Sequence, residues 1–117
     1  MDKSSNTSTI ETRHADLGAR DQIPMILWAI NTEGILTVSD GNGLKLLGVK
    51  AGELVGKAIV DLYPEFETSI EKCLGGKAIR STVTIKGVVL DTGFAPVRGK
   101  GGKVTGAFGS SIVITHE

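Results

Sequence analysis

The chain carries one cysteine, two histidines and no net charge, and each scarcity excludes something. A lone Cys73 rules out an internal disulfide and any all-cysteine metal site within one chain, and it suits a reducing, cytoplasmic setting. The 13 basic and 13 acidic residues are interspersed rather than blocked, which leaves no electrostatic footprint for nucleic acid or an anionic membrane. No apolar run approaches the roughly 20 residues needed to cross a bilayer. The longest, Ile23 to Ile30, is interrupted by Pro24 and ends at Asn31. Met1 to Thr9 is polar and lacks the apolar middle of a secretory signal. Paired carboxylates, a Ser–His pair and a metal-spaced cluster are all missing, so no enzyme is expected.

Glycine, by contrast, is plentiful at 16 residues, and it falls at the ends of short apolar bursts. Leu46-Leu47 runs into Gly48, Leu54-Val55 into Gly56, and a third burst, Ile59 to Leu62, into Tyr63-Pro64. Bursts this short predict single helical turns stopped by glycine. Helix nucleation is costly, so isolated turns must be held against something larger. The flanking sequence supplies a sheet for that purpose.

Before the bursts, Ile26, Trp28 and Ile30 alternate with Leu27, Ala29 and Asn31, a strand with one large face. Asn31-Thr-Glu-Gly34 predicts a turn, and Ile35 to Ser39 a returning strand. Asp40 or Asn42 is the expected cap of the turn reaching Leu47. Pro64 to Leu74 reads as the one longer helix, with Phe66, Ile70, Cys73 and Leu74 on one stripe and Gly75-Gly76 as its stop. Three strands follow, Ile79 to Ile85, Val88 to Arg98 and Lys103 to Thr115, joined by tight turns at Lys86-Gly87 and Gly99 to Gly102. Helices grouped between strands make the class α+β. Residues 1–22 form a polar N-terminal segment in which Ile10, His14 and Leu17 have the spacing of a flanking helix; residues 23–117 form one domain.

This order of elements, with these motifs, resembles the PAS family of sensory domains over nearly all of Ile23 to Thr115. Asn31-x-x-Gly-Ile35 resembles the family's first hairpin, with Asn in place of the usual Asp. Leu47-Gly48, Glu53-Leu-Val-Gly56 and Asp61-Leu-Tyr-Pro64 resemble its middle helices, and Ala95-Pro-Val-Arg98, Gly102 and Gly106 its last strands. Two departures stand out. Ser39 replaces a frequent Asn, and Val113-Ile-Thr115 replaces a frequent Asp-Ile-Thr. The resemblance implies a five-stranded antiparallel sheet with short helices and one longer helix between strands 2 and 3. It also implies an N-terminal input module of a larger signalling protein, whose effector is a kinase (such as a two-component histidine kinase), a cyclase or a transcription regulator.

Family members that bind cofactors do so between the inner sheet face and the middle helices. Ile59 stands where light-sensing flavin members carry a reactive Cys, and Ala58 where they carry a flavin-contacting Asn. Glu65 follows Pro64 where photoactive yellow members carry the chromophore Cys. Residues 65–74 contain no His for haem, and Cys73 on its apolar stripe reads as core. His14 and His116 lie at the chain ends and are expected to be solvated. No flavin, haem or metal site is therefore expected.

If the larger faces point inward, the interior of the sheet is lined by Trp28, Ile30, Leu36, Val38, Val83, Ile85, Leu90, Phe94, Phe108 and Ile112, with Ser81, Thr92 and Ser110 on the same side. The expected small-ligand pocket comprises Trp28, Ile30, Val38, Ile59, Ser81, Val83, Thr92, Phe94, Phe108 and Ser110. Three hydroxyls there could steer a small polar ligand, or simply bond neighbouring backbone. Thr92 or Ser110 is the expected partner of the Trp28 indole N–H. The opposite face, with Ala29, Val89, Ala95, Val97, Ala107 and Val113, is apolar enough to seek cover. A homodimer, or residues 10–22 folded across it, would supply that cover. A ligand-free dimerisation module with a filled core is the alternative to a ligand-binding sensor.

Overall fold

The computed structural model describes residues 23–116. The N-terminal segment 1–22, with its flanking-helix spacing and His14, lies outside the described residues. Five strands form one antiparallel sheet: β1 (Met25–Asn31), β2 (Leu36–Asp40), β3 (Ile79–Ile85), β4 (Val88–Arg98) and β5 (Val104–His116), in the spatial order β2-β1-β5-β4-β3. The last strand is thus the central one, paired with β1 on one side and β4 on the other. Between β2 and β3 lie a 3-10 turn (Asn42–Leu47), helix α1 (Ile59–Leu62), a 3-10 turn (Pro64–Phe66) and helix α2 (Glu67–Leu74). The longer helix expected over Pro64 to Leu74 therefore opens as a 3-10 turn, with Pro64 in its first position, and continues as α2. The class is α+β, as the sequence implies.

Two turns show how local chemistry fixes these boundaries. Asn31 Oδ1 accepts hydrogen bonds from the backbone N–H groups of Glu33 (2.9 Å) and Ile35 (3.0 Å), while Gly34 takes a φ of 78° that a side chain would resist. Each such bond is worth about 0.5–1.5 kcal/mol. Asn31→Ala should therefore lower the unfolding free energy by about 1–2 kcal/mol, whereas Asn31→Asp, which keeps the acceptor, should stay near wild type. Urea midpoints measure both. At the first apolar burst, Gly48 ends the 3-10 turn at φ 77°, its N–H donating to the Lys45 carbonyl. Neither Asp40 nor Asn42 caps that turn. Gly41 occupies the cap position, Asp40 Oδ1 accepts from Gly41 N–H, and Asn42 Oδ1 accepts from Met25 N–H.

The helical stretch packs on one face of the sheet. Leu44, Leu47, Ile59, Phe66, Ile70 and Cys73 are buried there against Ile26, Trp28, Leu36, Leu90 and Phe94. Four residues expected on that inner face lie elsewhere. Phe108, Ser110 and Ile112 point outward, and all three are exposed. The inward residues of β5 are instead Ala107, Gly109, Ser111 and Val113, so Ala107 and Val113 move from the outer face to the inner one. The reason is steric. Gly109 pairs with Trp28 on one side and Phe94 on the other, and the two rings fill the space above the central strand. Large residues on β5 had to go outward. Val38 is the fourth. The β1–β2 register slips between Ala29 and Ile30, leaving Thr37 as an extra residue, so Val38 faces outward opposite Ala29 and Ser39 inward opposite Trp28.

Candidate functional site

The space between the sheet and the helices is built on four of the five aromatic rings. Trp28, only 1 % exposed, meets Tyr63 edge-on at 5.7 Å between centroids and Phe66 at 5.5 Å. Phe66 also meets Tyr63 at 6.2 Å and Phe94 at 5.4 Å. All four contacts are T-shaped, the arrangement that sets the positive ring edge against the negative ring face. Of the residues expected to line a pocket, Trp28, Ile30, Ile59, Ser81, Val83, Thr92 and Phe94 lie on this side; Val38, Phe108 and Ser110 do not.

Polar groups cross this apolar interior in a file. The Trp28 indole N–H donates to Ser111 Oγ at 2.9 Å, rather than to Thr92 or Ser110. Ser111 Oγ and Thr92 Oγ1 share a 2.7 Å hydrogen bond, and both residues are buried. Thr92 pairs across the strands with Ser81, whose Oγ lies 3.4 Å from Ser69 Oγ on α2. The file therefore runs from the buried Trp28 ring to the seam between α2 and the edge strand β3. Ser111 and Thr92 carry two hydroxyl protons, and the bond between them uses one. Among the described residues, the hydrogen bonds leave the other without an acceptor. Ser39 Oγ, inward and opposite Trp28, is the one buried side-chain oxygen or nitrogen among the described residues with no hydrogen-bond partner. An unmatched donor and an unmatched hydroxyl in an apolar shell are the kind of groups that a bound molecule or ordered water would satisfy.

Burial, then the nearby Glu53 and Glu65 charges, raise the pKa of Tyr63 above its ordinary value, so the phenol is neutral at physiological pH. Burial likewise raises the pKa of Cys73, which keeps it a thiol. Among the described residues no group of three or more His, Cys, Asp or Glu side chains is placed to hold a metal ion. Two cavities open elsewhere on the surface. One, of about 260 Å³, is lined by the outward residues Arg80, Gly93, Ala95, Phe108 and Ser110 together with Ala78, Ile79 and Phe94. The other, of about 440 Å³, lies beside the first 3-10 turn, between Asp40, Asn42, Leu44, Lys45, Val49 and Lys50.

No family model and no curated protein matches the sequence. Solved structures do match the fold. A sensory box sensor histidine kinase from Vibrio cholerae superposes with a TM-score of 0.68 at 14% identity, over 94% of this chain and 98% of that one. The PAS domain of the histidine kinase ThkA gives 0.63 at 17% identity, over 77% and 99%. The Aer2 receptor from Vibrio cholerae, described as a dual PAS-heme oxygen sensor, gives 0.61 at 23% identity, over 83% and 99%. At these identities the likeness establishes the fold.

Proposed function

We propose that this chain, which has the PAS fold, is the sensory input module of a larger signalling protein and acts as a cytoplasmic homodimer. The observation that carries the reading is the polar file inside the aromatic interior, with its unassigned hydroxyl proton and the unpartnered Ser39 Oγ. A small, neutral ligand bearing a hydrogen-bond acceptor would match these groups. A ligand shifts a domain only through differential affinity for two arrangements of it. Here the two arrangements would differ in how α2 sits on β3, where Ser69 and Ser81 meet. Effectors of the classes found among structurally similar proteins, histidine kinases first, would receive that shift. Among the described residues no helix is long and apolar enough to cross a membrane.

Haem, named for the Aer2 receptor, does not fit the residues present. Helix α2 offers no histidine, its Cys73 is fully buried and held as a thiol, and the Phe66 and Trp28 rings pack edge-on in the space between α2 and the sheet. Ile59, fully buried on α1, offers no thiol for a flavin adduct. Purified protein is expected to be colourless, and a flavin or haem band in its visible absorption spectrum would overturn this assignment. The ligand-free dimerisation module remains the second reading, favoured by the close packing of the four rings. Trp28 separates the two. As the sole tryptophan, it should emit at short wavelength, and small-molecule fractions extracted from the expression host should shift that emission saturably. Thr92→Val should abolish the saturable response while costing only the Ser111 hydrogen bond, about 0.5–1.5 kcal/mol by urea unfolding. A Trp28 emission unmoved by every fraction would leave the dimerisation module standing instead.

A further inference from the structure

The cavity of about 440 Å³ is built from two short stretches, residues 40–45 and 49–51, and none of the four packed rings lines it. Local backbone chemistry holds its walls. Gly41, at φ 108°, has no room for a side chain against the Met25 carbonyl, and its N–H donates to Asp40 Oδ1 at 2.8 Å. Asn42 Oδ1 accepts from Met25 N–H, which fixes this wall to β1. The facing wall is tied by Val49 N–H to the Leu44 carbonyl (3.1 Å) and by Gly52 N–H to the Ser39 carbonyl (2.7 Å). Lys50 N–H donates to Glu53 Oε1 at 2.9 Å. Walls bonded in this way make the cavity preformed, as small-molecule sites usually are, and its volume lies within their range.

Its lining divides by chemistry. Leu44, Val49 and Ala51 supply an aliphatic surface, Lys45 and Lys50 two ammonium groups, and Asp40 a carboxylate. Among the described residues neither ammonium has a hydrogen bond or ion pair, and Asp40 uses Oδ1 on Gly41 N–H while Oδ2 has no partner. Both signs of charge thus line one cavity without neutralising each other. An inorganic anion would be repelled by Asp40 and would leave the aliphatic surface uncovered. An aliphatic amine would be repelled by both lysines. A molecule carrying both charges on an aliphatic body answers every group. We infer that this cavity binds an aliphatic α-amino acid, its carboxylate held by Lys45 and Lys50, its ammonium by Asp40, and its side chain over Leu44, Val49 and Ala51. The site is separate from the aromatic interior and takes a zwitterion where the interior takes a neutral ligand.

Amide NMR spectra of the 117-residue chain titrated with L-leucine test this. The shifts should be saturable and centred on residues 40–51. Lys45→Gln and Lys50→Gln should each weaken binding roughly tenfold, the worth of one charge-assisted hydrogen bond. Lys100→Gln, which removes an equal charge outside the cavity, should leave binding unchanged. Asp40→Asn keeps the acceptor for Gly41 N–H, so it should weaken L-leucine but not isocaproate, the same body without the amine. Isoamylamine, the same body without the carboxylate, should not bind. All these substitutions fall on exposed side chains, so the variants should keep the wild-type spectrum outside the cavity. No saturable shift up to the solubility limit of L-leucine overturns the site. So do shifts centred on Trp28, Thr92 and Ser111, or an affinity untouched by Lys45→Gln and Lys50→Gln. Isocaproate bound by wild type as tightly as L-leucine overturns the amino-acid assignment.

Discussion

Trp28→Ala is expected to destabilise the domain by about 3–5 kcal/mol, the range for deleting a large buried aromatic. Trp28 is 1 % exposed and touches both Tyr63 and Phe66 edge-on, so its removal leaves a cavity bordered by rings that cannot collapse together without losing their own contacts. It also takes away the indole N–H that satisfies Ser111 Oγ. Against the roughly 5–15 kcal/mol stability of an ordinary domain, such a variant would be marginal at room temperature. Trp28→Phe separates the two contributions. It restores most of the ring volume and omits the N–H, so it should cost only about 1–3 kcal/mol. Equal losses in the two variants, read from urea unfolding, would contradict the packing role.

Gly109→Ala is the second large effect, and it comes from crowding rather than deletion. A Cβ at this position would lie 2.5 Å from Phe94 Cδ1 and 2.8 Å from the Gly93 carbonyl oxygen. The ring could swing, but only by leaving its 5.4 Å contact with Phe66, and the backbone oxygen belongs to a paired strand. Inserting a methyl into a packed core costs typically about 1–3 kcal/mol, and the clash with backbone places this one at the upper end. A control at Gly93, where the added Cβ would meet Arg80 Cγ only at 3.7 Å, should be much milder. If both variants unfold at the same urea concentration, Phe94 does not sit where its contacts place it.

The same crowding explains which parts of the fold were legible in the sequence. Alternation in Ile26-Leu-Trp-Ala-Ile30 and Ile79 to Ile85 gave strand and face together, because in those strands the larger residues do point inward. Glycines after Leu47 and Val55 marked real turn ends for a local reason, the positive φ of Gly48 and Gly56. In β5 the rule that larger means buried ran backwards. Its inner row is Ala107, Gly109 and Ser111 because β1 and β4 contribute Trp28 and Phe94 to the same space, a tertiary fact that no single strand carries. The slip at Thr37 was equally hidden, since one extra residue leaves the composition of a strand unchanged while reversing Val38 and Ser39. The polar file follows from these two corrections. Thr92 and Ser81 were visible on their own alternation, whereas Ser111 could be found only by asking which β5 residues are small enough to lie beneath two rings.

Native mass spectrometry of the purified 117-residue chain tests the sensor reading most directly. The expected spectrum contains a dimer whose mass exceeds twice the sequence mass by one or two small organic molecules, lost under collisional activation and absent after Thr92→Val. A species at the bare sequence mass in wild type, with no adduct from any expression host, would contradict a ligand-holding interior and leave a domain whose core is filled by its own rings.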